Sequence, residues 1–304
     1  MSSGGYESWF LSARDPGSPR AVWIRHTRHR PQRGPESAAF WCTVADHSSG
    51  CQPVVVKQVF SAFPAGAAAG PRQFRGNAAM EQLTASWDLT ISSPQPPLLP
   101  LRPALLRHAP LPRTKVEASV PDGWVTGTLG VGDRTVDVSK WRGTVGHNWG
   151  SEHADSWIWL HADFGTALGG WLELVLARIR IGRARLPWTA MGALSLDRER
   201  IPLGGLGRRP RVDGRPGRLT ANVPSPGSRL QLTVTTSDDD AVAVRYADPS
   251  GGARAVRHAP LADVELVLRR PGGREAALSS NRGAYEYGTS QSAGEVTPQP
   301  LPEG

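Results

Sequence analysis

Residues 141–161 read WRGTVGHNWGSEHADSWIWLH, and they gather the side chains best suited to chemistry. Four of the eleven tryptophans (Trp141, Trp149, Trp157, Trp159) and three of the eight histidines (His147, His153, His161) fall in this window. Tryptophan is a large apolar surface with one polar handle. Histidine carries or transfers a proton near neutral pH. The combination suits an apolar cavity with a few polar groups in its wall. A tryptophan-rich barrel core with histidines on its rim has the same composition.

Within the window, His147 is placed to act as proton donor or base, and Asn148 to hold a ligand oxygen. Gly146 and Gly150 flank them and permit a bulge or sharp bend that would aim these side chains. The structural alternative is a buried histidine and asparagine tied to backbone groups. Glu152 follows at once. A carboxylic acid in an apolar pocket has a raised pKa and stays protonated at neutral pH. Such an acid protonates an alkene, and indole faces stabilise the cation through cation–π attraction. Capture by water or an internal hydroxyl then gives hydration or cyclisation. Glu152 is the first candidate acid and Glu7 the second. A Glu7–Arg25 ion pair between neighbouring strands is the plainer role for Glu7. Trp23, Arg25 and Trp41 join Trp149, Trp157, Trp159 and His161 as candidate ligand-lining residues.

The three histidines are six and eight residues apart, which is no common ligand spacing, so no metal is expected. No GxSxG elbow, Walker loop or strand-coupled GxGxxG occurs, and no organic cofactor is expected.

The elements that must position these residues read as short strands. Candidates run from Tyr6–Leu11, Ala21–Thr27, Ala38–Val44 and Val54–Phe60 through Ser86–Ile91, Thr114–Val120 and Trp124–Leu129 to Val264–Leu268 and Gly283–Tyr287. Gly, Pro, Asp and Ser punctuate them. Alternation puts Trp157, Trp159, His161 and Asp163 on one face of Ser156–Phe164 and Ile158, Leu160, Ala162 and Phe164 on the other. The aromatic face either lines a cavity or domain seam, or packs as plain core. Trp171–Arg180 reads as a strand. Residues 94–112, PQPPLLPLRPALLRHAPLP, exclude a helix or central strand yet carry five leucines. They read as an extended strap over a barrel surface or mouth. Gly204–Gly217 reads as exposed loops, and the segment after Gly288 as a disordered tail.

The length of 304 residues suits two domains, and 39% hydrophobic residues support a packed core. The pattern implies an all-β chain of sandwiches or barrels. A boundary near residue 150 gives domains 1–150 and 151–290 and a tail 291–304. The net charge is +8. With only three lysines, scattered arginines carry it, so no nucleic-acid partner is expected. No secretory signal and no membrane span is apparent, so a cytoplasmic location is expected, with peripheral contact to a membrane surface left open. Cys42 and Cys51 flank a polar turn and are expected to be reduced.

GYESWFLSARDPGSPRAVWIRHT, FWCTVAD, VVVKQVF, the strap ending LPRTK, WRGTVGHNWG, SWIWLHADF and a terminal AYEYG occur in this order. Together they resemble the carotenoid 1,2-hydratase-like proteins, also called hydroxyneurosporene-synthase-like or AttH-like, to which tocopherol cyclases are related. The resemblance covers roughly residues 4–288, with His147-Asn148-Trp149-Gly150 its most specific run. It implies two tandem lipocalin-like antiparallel β-barrels that hold isoprenoids, polyketides or similar apolar molecules without a cofactor. In the hydratase branch acidic residues sit beside the histidine, whereas here Gly146 and Asn148 do, which looks closer to the cyclase branch. The expected activity is cofactor-independent cyclisation or hydration of an apolar small molecule. The alternative is a non-catalytic carrier of such molecules.

Overall fold

The computed structural model describes residues 4–101, 104–165, 170–205, 207–290 and 301. It is all-β, and the chain divides into two compact units. The first contains the chain up to His153 together with Arg245–Arg254, and the second contains Ala154–Val244 and the chain from Ala255.

In the first unit, nine strands lie in one antiparallel sheet. They are β1 (Gly5–Arg14), β2 (Arg20–Arg30), β3 (Ser37–Asp46), β4 (Val54–Phe60), β5 (Ala68–Ala69), β6 (Gln73–Met80), β7 (Leu83–Ser92), β8 (Thr114–Val131) and β9 (Arg134–Gly150). The order is β4-β3-β2-β1-β9-β8-β7-β6-β5. The sheet curls until β4 meets β6, where the Ala79 amide donates to Gln58 Oε1 at 2.8 Å. Curling removes most of the exposed edge that an open sheet would leave. Strand β7 shows why the sheet has an inside. Ala85, Trp87, Leu89 and Ile91 are buried while Thr84, Ser86, Thr90 and Ser92 are exposed, the period of two expected of a half-buried strand. The core they enter holds Leu11, Val22, Ile24, Phe40, Phe74, Val125, Trp141 and Val145. Each such side chain contributes roughly 1.5–3 kcal/mol by leaving water.

The second unit repeats the plan. Its strands are β10 (Ser156–Asp163), β11 (Trp171–Arg178), β12 (Arg180–Ile181), β13 (Ala184–Arg185), β14 (Thr189–Leu196), β15 (Glu199–Gly204), β16 (Arg211–Arg215), β17 (Arg218–Ser225), β18 (Ser228–Thr235), β19 (Val242–Ala247), β20 (Ala253–Arg269) and β21 (Glu275–Thr289). The main sheet runs β15-β14-β11-β10-β21-β20-β18-β17-β16, with β19 on β20 and β12–β13 a separate hairpin. Its edges meet where Ser225 Oγ donates to Pro202 O at 2.7 Å. The core is aliphatic, built from Ile158, Leu160, Leu172, Leu174, Leu176, Leu219, Leu232 and Leu266 around the buried Tyr285.

Both halves therefore form lipocalin-like barrels closed by pairing of the first long strand with the last, β1 with β9 and β10 with β21. Several local expectations change. Gly204–Gly217 is not all loop, because β16 pairs with β17 there. Strand β9 runs straight through Gly146; β8 carries the extra residues between Ala118 and Val120 and between Val120 and Gly123, and β9 carries one further along, between Val138 and Trp141. A Cβ on Gly146 would lie 2.2 Å from the Phe10 ring, and one on Gly150 would lie 1.9 Å from the Arg113 carbonyl oxygen. These glycines make room for neighbours instead of bending the strand. The strap survives as expected: Leu98 bridges Ala118, and one turn of 3-10 helix forms at Ala104–Arg107. Most of the polar tail lies outside the described residues. Cys42 is buried and Cys51 exposed, and neither is in a disulfide. Among the described residues, no helix is long and apolar enough to cross a membrane.

Candidate functional site

Antiparallel register places opposite residues on one face, so the inside of the first barrel can be read as rows. The deep row is apolar: Val120, Val145, Leu11, Ile24, Cys42 and Val56. The next row toward the end is Glu117, His147, Trp9, His26, Phe40 and Gln58. The rim row is Lys115, Trp149, Glu7, Arg28, Ala38 and Phe60. These two rows bring acids, bases and indoles together at one end of the barrel face, while Trp141 enters the core toward the other end.

His147 is the centre of that end. Its Nε2 stands 3.1 Å from Glu7 Oε1 and its Nδ1 3.6 Å from Glu117 Oε1. Its ring lies between Trp9, at 5.2 Å and nearly parallel, and Trp149, at 4.6 Å. Glu117 is held below the usual carboxylate range by its hydrogen bond to His147, with Arg107 adding to the effect against burial. Arg107 comes from the strap, pairs with Glu117 and lies 5.9 Å over Trp149. The strap therefore reaches the mouth of this barrel. An imidazole bracketed by two carboxylates and set against aromatic faces is an arrangement for general acid–base work or for gripping a polar group.

One strand further round, His26 is wholly buried. Trp87 Nε1 donates to its Nε2 at 3.1 Å. Its ring stacks on Phe40 at 3.9 Å, with Phe74, Trp87 and Phe63 at 5.5, 5.5 and 6.0 Å. Burial pushes its pKa down to about 3, so it is neutral at physiological pH. Phe63, on the connection after β4, also edges onto Phe40 at 5.1 Å and Trp9 at 6.3 Å, and Arg28 lies 4.7 Å over it.

Other sequence candidates sit elsewhere. Glu152 is not in an apolar pocket: its Oε2 meets Arg113 Nη1 at 2.7 Å, and its side chain keeps 29% of its exposure. The apolar surroundings that the candidate acid required are absent there. The Glu7–Arg25 pair does not form, because the two residues are on opposite faces of the sheet and Glu7 meets His147. Arg25 instead donates from Nε to Ser8 Oγ at 2.7 Å and lies 3.5 Å over the Tyr246 ring, with Trp41 and Trp23 at 5.8 and 6.0 Å. Lys57 lies 4.3 Å over Trp41. Asn148 shares this outer face, opposite Ser8 in register. Nearby, the Tyr6 ring packs against His153 at 4.0 Å, tilted by 31°, and the His153 amide donates to Asp248 Oδ2 at 3.1 Å. Burial raises Tyr6 to about 12 and lowers His153 to about 3.

In the second unit, Ile158 and Leu160 enter the barrel core, so Trp157, Trp159 and His161 face away from it. Trp157 Nε1 donates to Glu286 Oε1 at 2.8 Å, and Trp159 Nε1 to Glu173 Oε1 at 2.6 Å. His161 is fully buried and stands opposite Glu173 in register. Sequence reading missed Glu117, Arg107, His26 and Phe63. His26 sits in an arginine-rich stretch and reads as part of a basic patch, although its alternation with Val22 and Ile24 marks it as inward-facing. Among the described residues, no group of three or more His, Cys, Asp or Glu side chains could hold a metal ion.

Comparison with known proteins adds fold and little more. No family model matches the chain. An uncharacterized protein of Mycobacterium tuberculosis, found in strains CDC 1551 and H37Rv, is 28% identical over 286 residues, covering 90% of this chain and 83% of the relative. Among solved structures, a candidate AttH of Nitrosomonas europaea superposes with a TM-score of 0.55 at 17% identity, covering 93% of this chain and 92% of that one. At that identity the match establishes the shared lipocalin-like architecture.

Proposed function

We propose that the end of the first barrel binds an apolar small molecule and that His147 transfers a proton to or from it without a cofactor. The observation that carries this reading is the placement of His147 between Glu7 and Glu117 and between Trp9 and Trp149. Apolar walls with a few convergent polar groups are the ordinary make-up of such a site. Glu117, held below the usual carboxylate range by its hydrogen bond to His147, faces the ring as an acceptor. A developing cation on the ligand would meet indole faces, worth about 0.5–2 kcal/mol each. Cyclisation or hydration of an isoprenoid or polyketide-like molecule is the matching reaction class, and the AttH-like architecture is consistent with it. Trp157, Trp159 and His161 are left to a supporting role in this reading, and the expected location remains the cytoplasm.

A non-catalytic carrier is the second reading. It is favoured by the closure of His147 between two rings and two carboxylates, which suits holding more than turnover. The experiment is native mass spectrometry of the purified protein, with extraction of any retained molecule, then assay of His147→Gln, Glu7→Gln and Glu117→Gln. Turnover lost in His147→Gln with binding retained supports the enzyme. A retained molecule that no variant or wild type converts supports the carrier. Wild type that neither retains nor binds polyene or prenylated aromatic probes removes both.

A further inference from the structure

The buried His26 is a hydrogen-bond donor with its partner missing. Trp87 N–H occupies its Nε2 as acceptor, so in the neutral ring the remaining proton is on Nδ1. That Nδ1 is buried and has no hydrogen-bond partner among the described residues. The rings packed around it are those of Phe40, Phe74, Trp87 and Phe63, none of which supplies an acceptor oxygen. Buried polar groups are nearly always paired, and an exception calls for an explanation. His26 is also in the same register row as His147, one strand removed through Trp9.

Phe63 supplies the second half of the argument. The other rings around His26 are on strands β3, β6 and β7, whereas Phe63 is on the connection between β4 and β5 and is only half-buried. It lies against His26, Phe40 and Trp9 and beneath Arg28. A planar ligand entering at this end would take the volume of that one ring, with Trp9 beside it and Arg28 over its face.

We propose that His26 Nδ1–H is the recognition donor for an uncharged carbonyl-type oxygen on a planar conjugated ligand, which reaches it by displacing Phe63. This rests on the reading of the first barrel's end as a ligand chamber and names the class of ligand: an aromatic or polyenic ketone or quinone in preference to the corresponding hydrocarbon. A carboxylate or phosphate fits poorly, because a neutral imidazole offers no countercharge to a desolvated anion. A hydrocarbon leaves the donor as orphaned as it is without ligand.

Two probes of nearly equal shape test it: 2-acetylnaphthalene and 2-ethylnaphthalene, titrated calorimetrically into the full chain. The readout is the ratio of the two affinities. Replacing His26→Phe, made together with Trp87→Phe so that no indole N–H is left unpaired, is expected to lower the ketone-to-hydrocarbon ratio about tenfold, the value of one neutral hydrogen bond. Phe63→Ala is expected to strengthen both probes and leave the ratio unchanged. Should the double variant not fold, nitrogen-15 NMR of the wild type replaces it: the His26 Nδ1–H resonance must move with the ketone and stay with the hydrocarbon. If both probes bind wild type but the ratio survives the replacement, or the resonance ignores the ketone, the donor role is overturned while the chamber stands. If neither probe binds wild type or Phe63→Ala, the chamber and the donor role fall together.

Discussion

Gly146, next to His147 on β9, offers the sharpest single test of how the site is held. An added Cβ would stand 2.2, 2.3 and 3.0 Å from three carbons of the Phe10 ring. Carbon atoms normally approach to about 3.5–4.0 Å, so the ring must retreat by more than about 1 Å. Phe10 is buried, with 6% of its surface exposed, and Arg25 is its register partner on β2. Overpacking of this kind costs about 1–3 kcal/mol. Gly146 is not among the residues with positive φ, so the backbone itself accepts alanine, and a strand interior gains roughly 0.5–1 kcal/mol from losing a glycine. The two effects separate in a second background. Phe10→Leu alone is expected to cost about 1 kcal/mol. Gly146→Ala added to it should then cost nothing or stabilise, a coupling of about 1–3 kcal/mol between the two sites. Urea unfolding followed by tryptophan fluorescence reads this well, because seven of the eleven tryptophans are in the first unit. Gly146→Ala alone should lower the midpoint by roughly 1 M. Equal cost in both backgrounds would refute the packing argument and restore a backbone role for this glycine.

Three further outcomes are expected. His26 and His153 both have pKa values near 3 in the fold against an ordinary 6.5; the folded state binds fewer protons in that window, so stability is full above about pH 6.5 and falls as pH drops toward 3, by at most about 2.7 kcal/mol per pH unit for the pair. Urea midpoints from pH 7 to 4 should show the slope, His153→Gln should reduce it, and a flat profile would contradict the burial of these rings. Tyr246→Leu removes the ring under Arg25 and beside Trp41 and should destabilise the first unit by about 2–4 kcal/mol; an unchanged unfolding midpoint would show that Arg245–Arg254 contributes no stability there. Cys51 should react with a maleimide within minutes while Cys42, buried and with its thiol pushed up to about 12, reacts only on unfolding; two equally fast thiols in a mass spectrum of the labelled native protein would count against this core.

Much of the fold was legible because its signal is local. Period-two alternation marks β7, β10 and β11, and the prolines of the strap leave no long helix or central strand there, only one 3-10 turn at Ala104–Arg107 and the Leu98 bridge. Strand β6 was invisible, since QFRGNAAM mixes polar and small residues and earns its place only through Phe74 and Ala78 in the core. The glycines of WRGTVGHNWG suggest a bend from sequence, but Gly146 and Gly150 serve close packing instead. A bend can be guessed from sequence, whereas the ring that fills the space of an absent side chain belongs to another strand.

His147, Glu7 and Trp149 stood out from residue type alone, as an imidazole, a carboxylate and an indole in one β-rich chain. That two acids stand beside the histidine could not be found that way. They come from β1 and β8, and register alone sets Glu7 beside Trp149 and Glu117 beside His147. Face and partner are likewise nonlocal: Arg25 and Glu7 differ by one pleat, and that pleat sends one onto Tyr246 and the other to the barrel mouth. Sequence determined which side chains exist and how each strand alternates. Closure of the barrel decided which of them meet, because pairing across a curled sheet joins residues more than a hundred positions apart.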